Sequence, residues 1–143
     1  MTTKNLQDIQ FKNIKEGVRN YSVGTFFVGW PKKPSQDVFY KTIEGADYVV
    51  LAIDPKTNTI IGYITAISDG VLSAFIPFLE VDAEYQKLGI GHNLVKLMLE
   101  QIEGFYMIDL VCDKNLAGFY EEAGLTLWHA MIKRNYNNQS GSR

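Results

Sequence analysis

A chain of 143 residues, 46% of them hydrophobic, has the length for one globular domain with a substantial core, and nothing in it suggests a second. Its formal net charge of -2 argues against nucleic-acid binding through a broad basic face, and its single cysteine, Cys112, excludes an internal disulfide and fits a reducing compartment. No apolar run approaches bilayer-spanning length, and the polar start Met1-Thr2-Thr3-Lys4-Asn5 lacks the apolar stretch of a signal peptide, so a cytoplasmic protein without membrane association is expected.

Residues 9–11 read as a short strand and 14–21 as a weak helix. Pro34-Ser35 followed by residues 36–44 predicts a capped helix with Val38, Phe39 and Ile43 on one face and Gly45 at its end. Residues 48–53, all apolar, form a buried strand closed by the turn residues Asp54, Pro55, Lys56, Thr57 and Asn58. The next strand covers 59–68, and Asp69-Gly70 favours a two-residue hairpin that makes 71–81 its antiparallel partner. Pro77 inside that partner cannot donate a ladder hydrogen bond and marks an edge, a bulge or a parting of strands. A helix over 92–103 through Leu94, Val95, Met98 and Ile102 is followed by a strand at 106–112 and a helix at 114–123, an order that implies a parallel crossover. Gly124 closes the last helix and 125–133 supplies a final strand. The polar stretch 137–143 is expected to be disordered, leaving 1–136 as the domain.

Between the apolar strand ending at Asp82 and the helix that follows lies Gln86-Lys87-Leu88-Gly89-Ile90-Gly91. A glycine-rich strand-to-helix junction leaves backbone N–H groups unpaired and aims the positive end of a helix dipole at one point, where a phosphate can dock. Gly89 and Gly91 let the chain turn tightly and approach such a guest without a Cβ in the way.

That spacing, behind Leu79-Glu80-Val81-Asp82-Ala83-Glu84-Tyr85, resembles the acetyl-CoA motif of the GCN5-related N-acetyltransferases (GNAT). Phe119-Tyr120-Glu121-Glu122-Ala123-Gly124-Leu125 resembles the family's second element, in the right order and at the right distance. The resemblance covers residues 72–127 and implies an α/β (α+β) fold. Its mixed central sheet of about six or seven strands is flanked by helices, with a splay between the two central parallel strands that admits the pantetheine arm of acetyl-CoA. It implies an acetyl-CoA-dependent N-acetyltransferase that moves the acetyl group directly to a primary amine of a small molecule or peptide. The alternative is a non-catalytic acyl-CoA-binding or regulatory module with the same fold.

Acetyl transfer needs a thioester held rigidly, a neutral amine aimed at its carbonyl carbon, stabilisation of the oxyanion and a proton for the departing thiolate. The resemblance assigns the cofactor's pyrophosphate to main-chain N–H groups around Gln86, Lys87, Leu88, Gly89, Ile90, Gly91, His92 and Asn93, and the pantetheine amides to the backbone of Leu79 and Val81 in the manner of an added strand. Lys87 and His92 also read as ordinary solvated residues, and the side chains of Leu79 and Val81 as core. Tyr120 matches the tyrosine that protonates the leaving thiolate in many relatives, although Leu116, Phe119, Tyr120 and Ala123 at helical spacing also read as a core stripe. Phe119 and Asn115 complete the expected cofactor contacts. Many relatives place an asparagine seven residues ahead of that tyrosine; here Asp113 stands there, and it reads as the helix N-cap.

Glu80, beside the proposed thioester, is the candidate general base acting through water, unless strand alternation turns it to solvent. Cys112 reads as a buried structural thiol, and two histidines with one cysteine at no ligand spacing predict no metal. The expected partners are the amine acceptor, shaped in this fold by residues 21–36, where Phe26, Phe27 and Trp30 read either as an apolar acceptor wall or as core beside a proline-stiffened loop, and in an oligomer a second copy as a homodimer.

Overall fold

The computed structural model describes residues 4–142; Met1, Thr2 and Thr3 of the polar start and Arg143 of the polar tail lie outside them. The elements run β1 (Gln10–Lys12), β2 (Ser22–Val23), α1 (Gln36–Gly45), β3 (Tyr48–Asp54), β4 (Thr59–Ser68), β5 (Ser73–Ile76), β6 (Leu79–Val81), α2 (Ile90–Ile102), β7 (Met107–Leu110) and α3 (Ala117–Glu122), with short 3-10 turns between them. One mixed sheet has the order β1-β3-β4-β5-β7, and β2 and β6 pair with β4 as well. No helix among the described residues is long and apolar enough to cross a membrane.

Alternation along β3 and β4 divides the core between the two faces of the sheet. Val49, Leu51, Ile53, Ile60 and Tyr63 meet Phe39, Tyr40 and Ile43 of α1, while Val50, Ala52, Ile61 and Ile64 meet Ile90, Leu94, Val95, Met98 and Ile102 of α2. β3 is therefore covered on both faces, which is why it reads as an unbroken apolar run. The Ser35 hydroxyl accepts from the Val38 N–H and caps α1, whose buried face is Phe39, Tyr40 and Ile43 rather than Val38.

Several expectations are corrected. Residues 14–21 form only a 3-10 turn at Val18–Asn20. The connection after β4 is longer than a two-residue hairpin. The Asp69 carboxylate accepts from the backbone N–H groups of Val71, Leu72 and Ser73, so the strand restarts at Ser73 with Ser68 opposite Ala74. The partner strand expected over 71–81 is two strands, β5 and β6, interrupted at Pro77 and Phe78. The helix expected from His92 starts at Ile90, and the last helix is a 3-10 turn at Lys114–Leu116 followed by the short α3. The final strand expected over 125–133 is absent, because that stretch has no neighbouring strand in its own chain to supply a ladder. Beyond it the stretch expected to be disordered makes contacts: the Lys32 N–H donates to Gln139 Oε1 at 3.1 Å, and Gly141 lies against Val38.

Candidate active site

Pro77 ends the contact between β5 and its parallel neighbour β7, whose last pair is Ile76 with Leu110. β6 continues along β4 alone, with Tyr63 opposite Glu80 and Gly62 opposite Val81. The Thr65 N–H donates to Phe78 O and the Asp82 N–H to Ile61 O, so Phe78, Glu80 and Asp82 spend their backbone groups on β4. In an antiparallel ladder the intervening residues, Leu79 and Val81, turn theirs the other way, into the gap beyond β7. The sheet thus opens a V whose inner edge carries free backbone hydrogen-bonding groups. One is engaged within the chain: Gln86 Nε2 donates to Val81 O at 3.1 Å.

The glycine junction sits at the mouth of this gap. Gly89 occupies the N-cap of α2 at φ 89°, a left-handed conformation that a residue with a Cβ adopts at a cost, and no side chain caps the helix there. The first-turn N–H groups of Ile90, Gly91 and His92 therefore face outward without intrahelical partners. Lys87 is also left-handed, at φ 66°, and exposed. Gly91 differs from the sequence expectation. It lies inside the helix, and a methyl group added to it would meet Phe119 Cζ at 3.6 Å and Val81 Cγ2 at 3.8 Å, ordinary contact distances. Val81, Gly91 and Phe119 thus meet where α2 and α3 converge on β6. The His92 ring lies 4.4 Å from that of Phe119, and Phe119 meets Tyr120 edge-on at 5.0 Å. Leu88 packs partly on the same core and Asn93 is half-buried.

Tyr120 is buried, and its pKa is pushed up to about 12, first by burial and then by the neighbouring Cys112 thiol, with no hydrogen bond contributing. Cys112 itself is half-buried and packs on the α2 core. Only Phe119 and Tyr120 of the expected stripe face the core; Leu116 and Ala123 are exposed. Asp113 holds the N-cap position of the turn before α3, but its side chain makes no capping bond, which corrects the expected cap. Asn115, in the same turn, is exposed.

Glu80 points to the opposite face from Leu79 and Val81, towards α1, and is half-buried rather than turned to solvent. One carboxylate oxygen accepts from the Phe27 N–H at 2.8 Å and the other from the Tyr63 hydroxyl. Burial first, and then the Glu80 charge, push the Tyr63 hydroxyl far above its ordinary pKa and keep it a donor. Asp82 acts in parallel, accepting from the Thr25 N–H at 2.8 Å, where a side chain on Gly24 would collide with its Oδ2. Glu80 of β6 and Asp82 just beyond its end thus hold the loop of Gly24, Thr25, Phe26 and Phe27 against the sheet. Phe27 takes φ 58°, and Phe26 stacks on Phe39 and meets Tyr63 edge-on, so these aromatics are core while Trp30 is half-buried beside Phe27. The loop lies in the segment expected to shape the acceptor site, but Tyr63 and the anchoring role of Asp82 were not singled out by the sequence.

An open V in a mixed sheet, with an uncapped helix N-terminus at its mouth and a tyrosine beside it, defines the class of α/β fold to which the chain belongs. Residues 15–125 match the acetyltransferase (GNAT) family, and the chain belongs to that family. Over its whole length it superposes on 99% of a putative acetyltransferase from Deinococcus radiodurans R1, with a TM-score of 0.92 and 41% identity. It is 29% identical over 104 residues to an uncharacterized N-acetyltransferase ycf52-like of Prochlorococcus marinus, a match that covers 70% of this chain and 57% of that one. It is 26% identical over 117 residues to GCN5-related N-acetyltransferase 1, chloroplastic, of Arabidopsis thaliana, a match that covers 79% of this chain and 59% of that protein. The chain spans less than two thirds of the length of these two curated relatives.

Proposed function

We propose that the protein is an N-acetyltransferase that uses acetyl-CoA as cosubstrate and moves its acetyl group directly to a primary amine of a small molecule or peptide. The observation that carries this reading is the parting of β6 from β7 at Pro77. It leaves the backbone groups of Leu79 and the N–H of Val81 free along a gap that ends at the uncapped start of α2. Bound acetyl-CoA supplies the activated acyl group. The chain's residues supply the rest. The N–H groups of Gly89, Ile90, Gly91 and His92, with the Lys87 charge nearby, would hold the pyrophosphate, and Leu79 and Val81 the pantetheine amides. The Tyr120 hydroxyl holds the proton destined for the thiolate. Glu80, anchored by Tyr63 and Phe27, keeps free lone pairs on both oxygens and is placed on the α1 face to draw a proton from an ammonium group through water. A cytoplasmic location accords with the single thiol, Cys112.

Two measurements test the reading together. Isothermal titration with acetyl-CoA should show binding, and release of free CoA should require an amine, found by screening polyamines, aminoglycosides, amino acids and peptide N-termini. Binding without amine-dependent release across the panel identifies a non-catalytic acyl-CoA-binding module instead.

A further inference from the structure

We propose that a cavity under the end of α1 seats the acceptor through Thr65 and selects a short monoamine whose apolar body carries one hydroxyl group; the assignment rests on the proposed acetyltransferase function. The cavity, of about 220 Å³, lies between α1 and the sheet, bounded by Ala46 at the helix end, by Thr65 and Ile67 of β4, and by Pro77 and Phe78. At Pro77 β6 leaves β7, so the cavity abuts the apex of the gap assigned to acetyl-CoA. It also shares the α1 face with Glu80. Thr65 follows Tyr63 by two residues, and its N–H donates to Phe78 O at 3.1 Å, which sets Thr65 and Phe78 about 7 Å along the ladder from Tyr63 and Glu80. A ligand lying along Phe78 thus meets Thr65 with one end and the carboxylate with the other.

The chemistry of the walls sets the class. Thr65 is 1% exposed, and among the described residues its Oγ1 is the buried side-chain polar atom left without a hydrogen-bond partner. Folded interiors seldom leave such a group unpaired, and a hydroxyl both donates and accepts, so a ligand hydroxyl is its natural complement. Neighbouring polar groups are engaged elsewhere. The Thr42 hydroxyl donates to Val38 O at 2.9 Å, Lys41 Nζ pairs with Asp37 at 3.1 Å, and Ala46 O accepts from Lys15 Nζ at 2.6 Å. Apolar walls without a free counter-charge exclude a second ammonium group, whose desolvation nothing there would offset. Polyamines and aminoglycosides therefore fit poorly, whereas a short amino alcohol places its hydroxyl on Thr65 and its amine towards Glu80.

The test adds aminopentanol, pentylamine and diaminopentane to the acceptor panel and measures their binding to the full chain by calorimetry with CoA present. Aminopentanol should bind, pentylamine about fivefold more weakly and diaminopentane roughly a hundredfold more weakly. Thr65→Val keeps the shape of the side chain and should erase the preference for aminopentanol over pentylamine, while Thr65→Ser should keep it. Without ligand, Thr65→Val should melt no lower than wild type, since no hydrogen bond is lost. Diaminopentane binding as tightly as aminopentanol, a preference that survives Thr65→Val, or a Thr65→Val protein that melts several degrees lower would each overturn the proposal. The two readings fail separately. Binding in the expected order without release of CoA sinks the acetyltransferase reading alone, and amine-dependent release without that order sinks this cavity alone.

Discussion

Burial holds the Tyr120 pKa near 12, so its phenol stays protonated through the whole range in which an amine acceptor loses its own proton. A general acid needs that property, and the alkaline limb of a pH–rate profile between 8 and 10 should therefore not come from this residue. Tyr120→Phe keeps the ring against Phe119 and should retain fold and acetyl-CoA affinity while losing on the order of 10²-fold in kcat and in kcat/KM. Undiminished turnover under chemistry-limited conditions would leave the tyrosine as packing alone. The two glycines of the junction also separate at this scale. Gly89→Ala forces a Cβ into a left-handed N-cap and should cost about 1 kcal/mol, whereas Gly91→Ala, inside the helix with only ordinary contacts to meet, should be neutral or stabilise by up to about 0.5–1 kcal/mol. Thermal unfolding of the two variants side by side checks the difference.

At the scale of elements, the turn after β4 depends on one carboxylate. Three backbone N–H donors hold the Asp69 pKa down to about 2, below its ordinary value of 3.8. The folded state therefore releases this proton more readily than the unfolded chain. The stabilisation is complete above pH 4 and is lost as pH falls towards 2. Asp69→Ala should flatten that part of the acid unfolding curve; an unchanged curve would contradict the turn geometry. Asp113 makes the opposite case. Without a capping bond, Asp113→Ala should change stability by well under the roughly 1 kcal/mol of a working N-cap. These two aspartates also show why element boundaries were only partly legible. Strand and helix identities follow from periodicity and held for β3, β4, α1 and α2. The register did not. A two-residue turn at Asp69-Gly70 would set Tyr63 opposite Ile76, whereas the longer Asp69-centred loop sets Ser68 opposite Ala74, and one further residue at the Pro77 interruption brings Tyr63 opposite Glu80. The Tyr63–Glu80–Phe27 anchor was therefore hidden, because its partners meet only through that register. Pro77, by contrast, announced the parting of strands directly, since a missing donor is visible in the residue type.

Across the whole molecule, three buried tyrosines, Tyr63, Tyr85 and Tyr120, have pKa values raised above 10 by burial and, for the first two, by carboxylate partners as well. Above pH 10 the unfolded chain loses phenolic protons that the folded chain keeps, so stability should hold up to pH 10 and fall steadily as pH rises towards about 12. Tyr120→Phe should make that fall shallower in denaturant titrations at successive pH values. The final stretch 125–133 was read as a strand from its pattern and is none in this structure, because a strand exists only where another edge receives it. The alternation was legible in the sequence; the absence of a receiving edge within the chain was not.

In the proposed function, the gap between β6 and β7, the start of α2 and Tyr120 make one acetyl-transfer site. The most direct test is the rate of free-thiol release from acetyl-CoA by wild-type protein with and without each amine of the acceptor panel. Release should depend on an amine and saturate in both acetyl-CoA and amine. Tight acetyl-CoA binding with no amine-dependent release by any member of the panel would contradict that function.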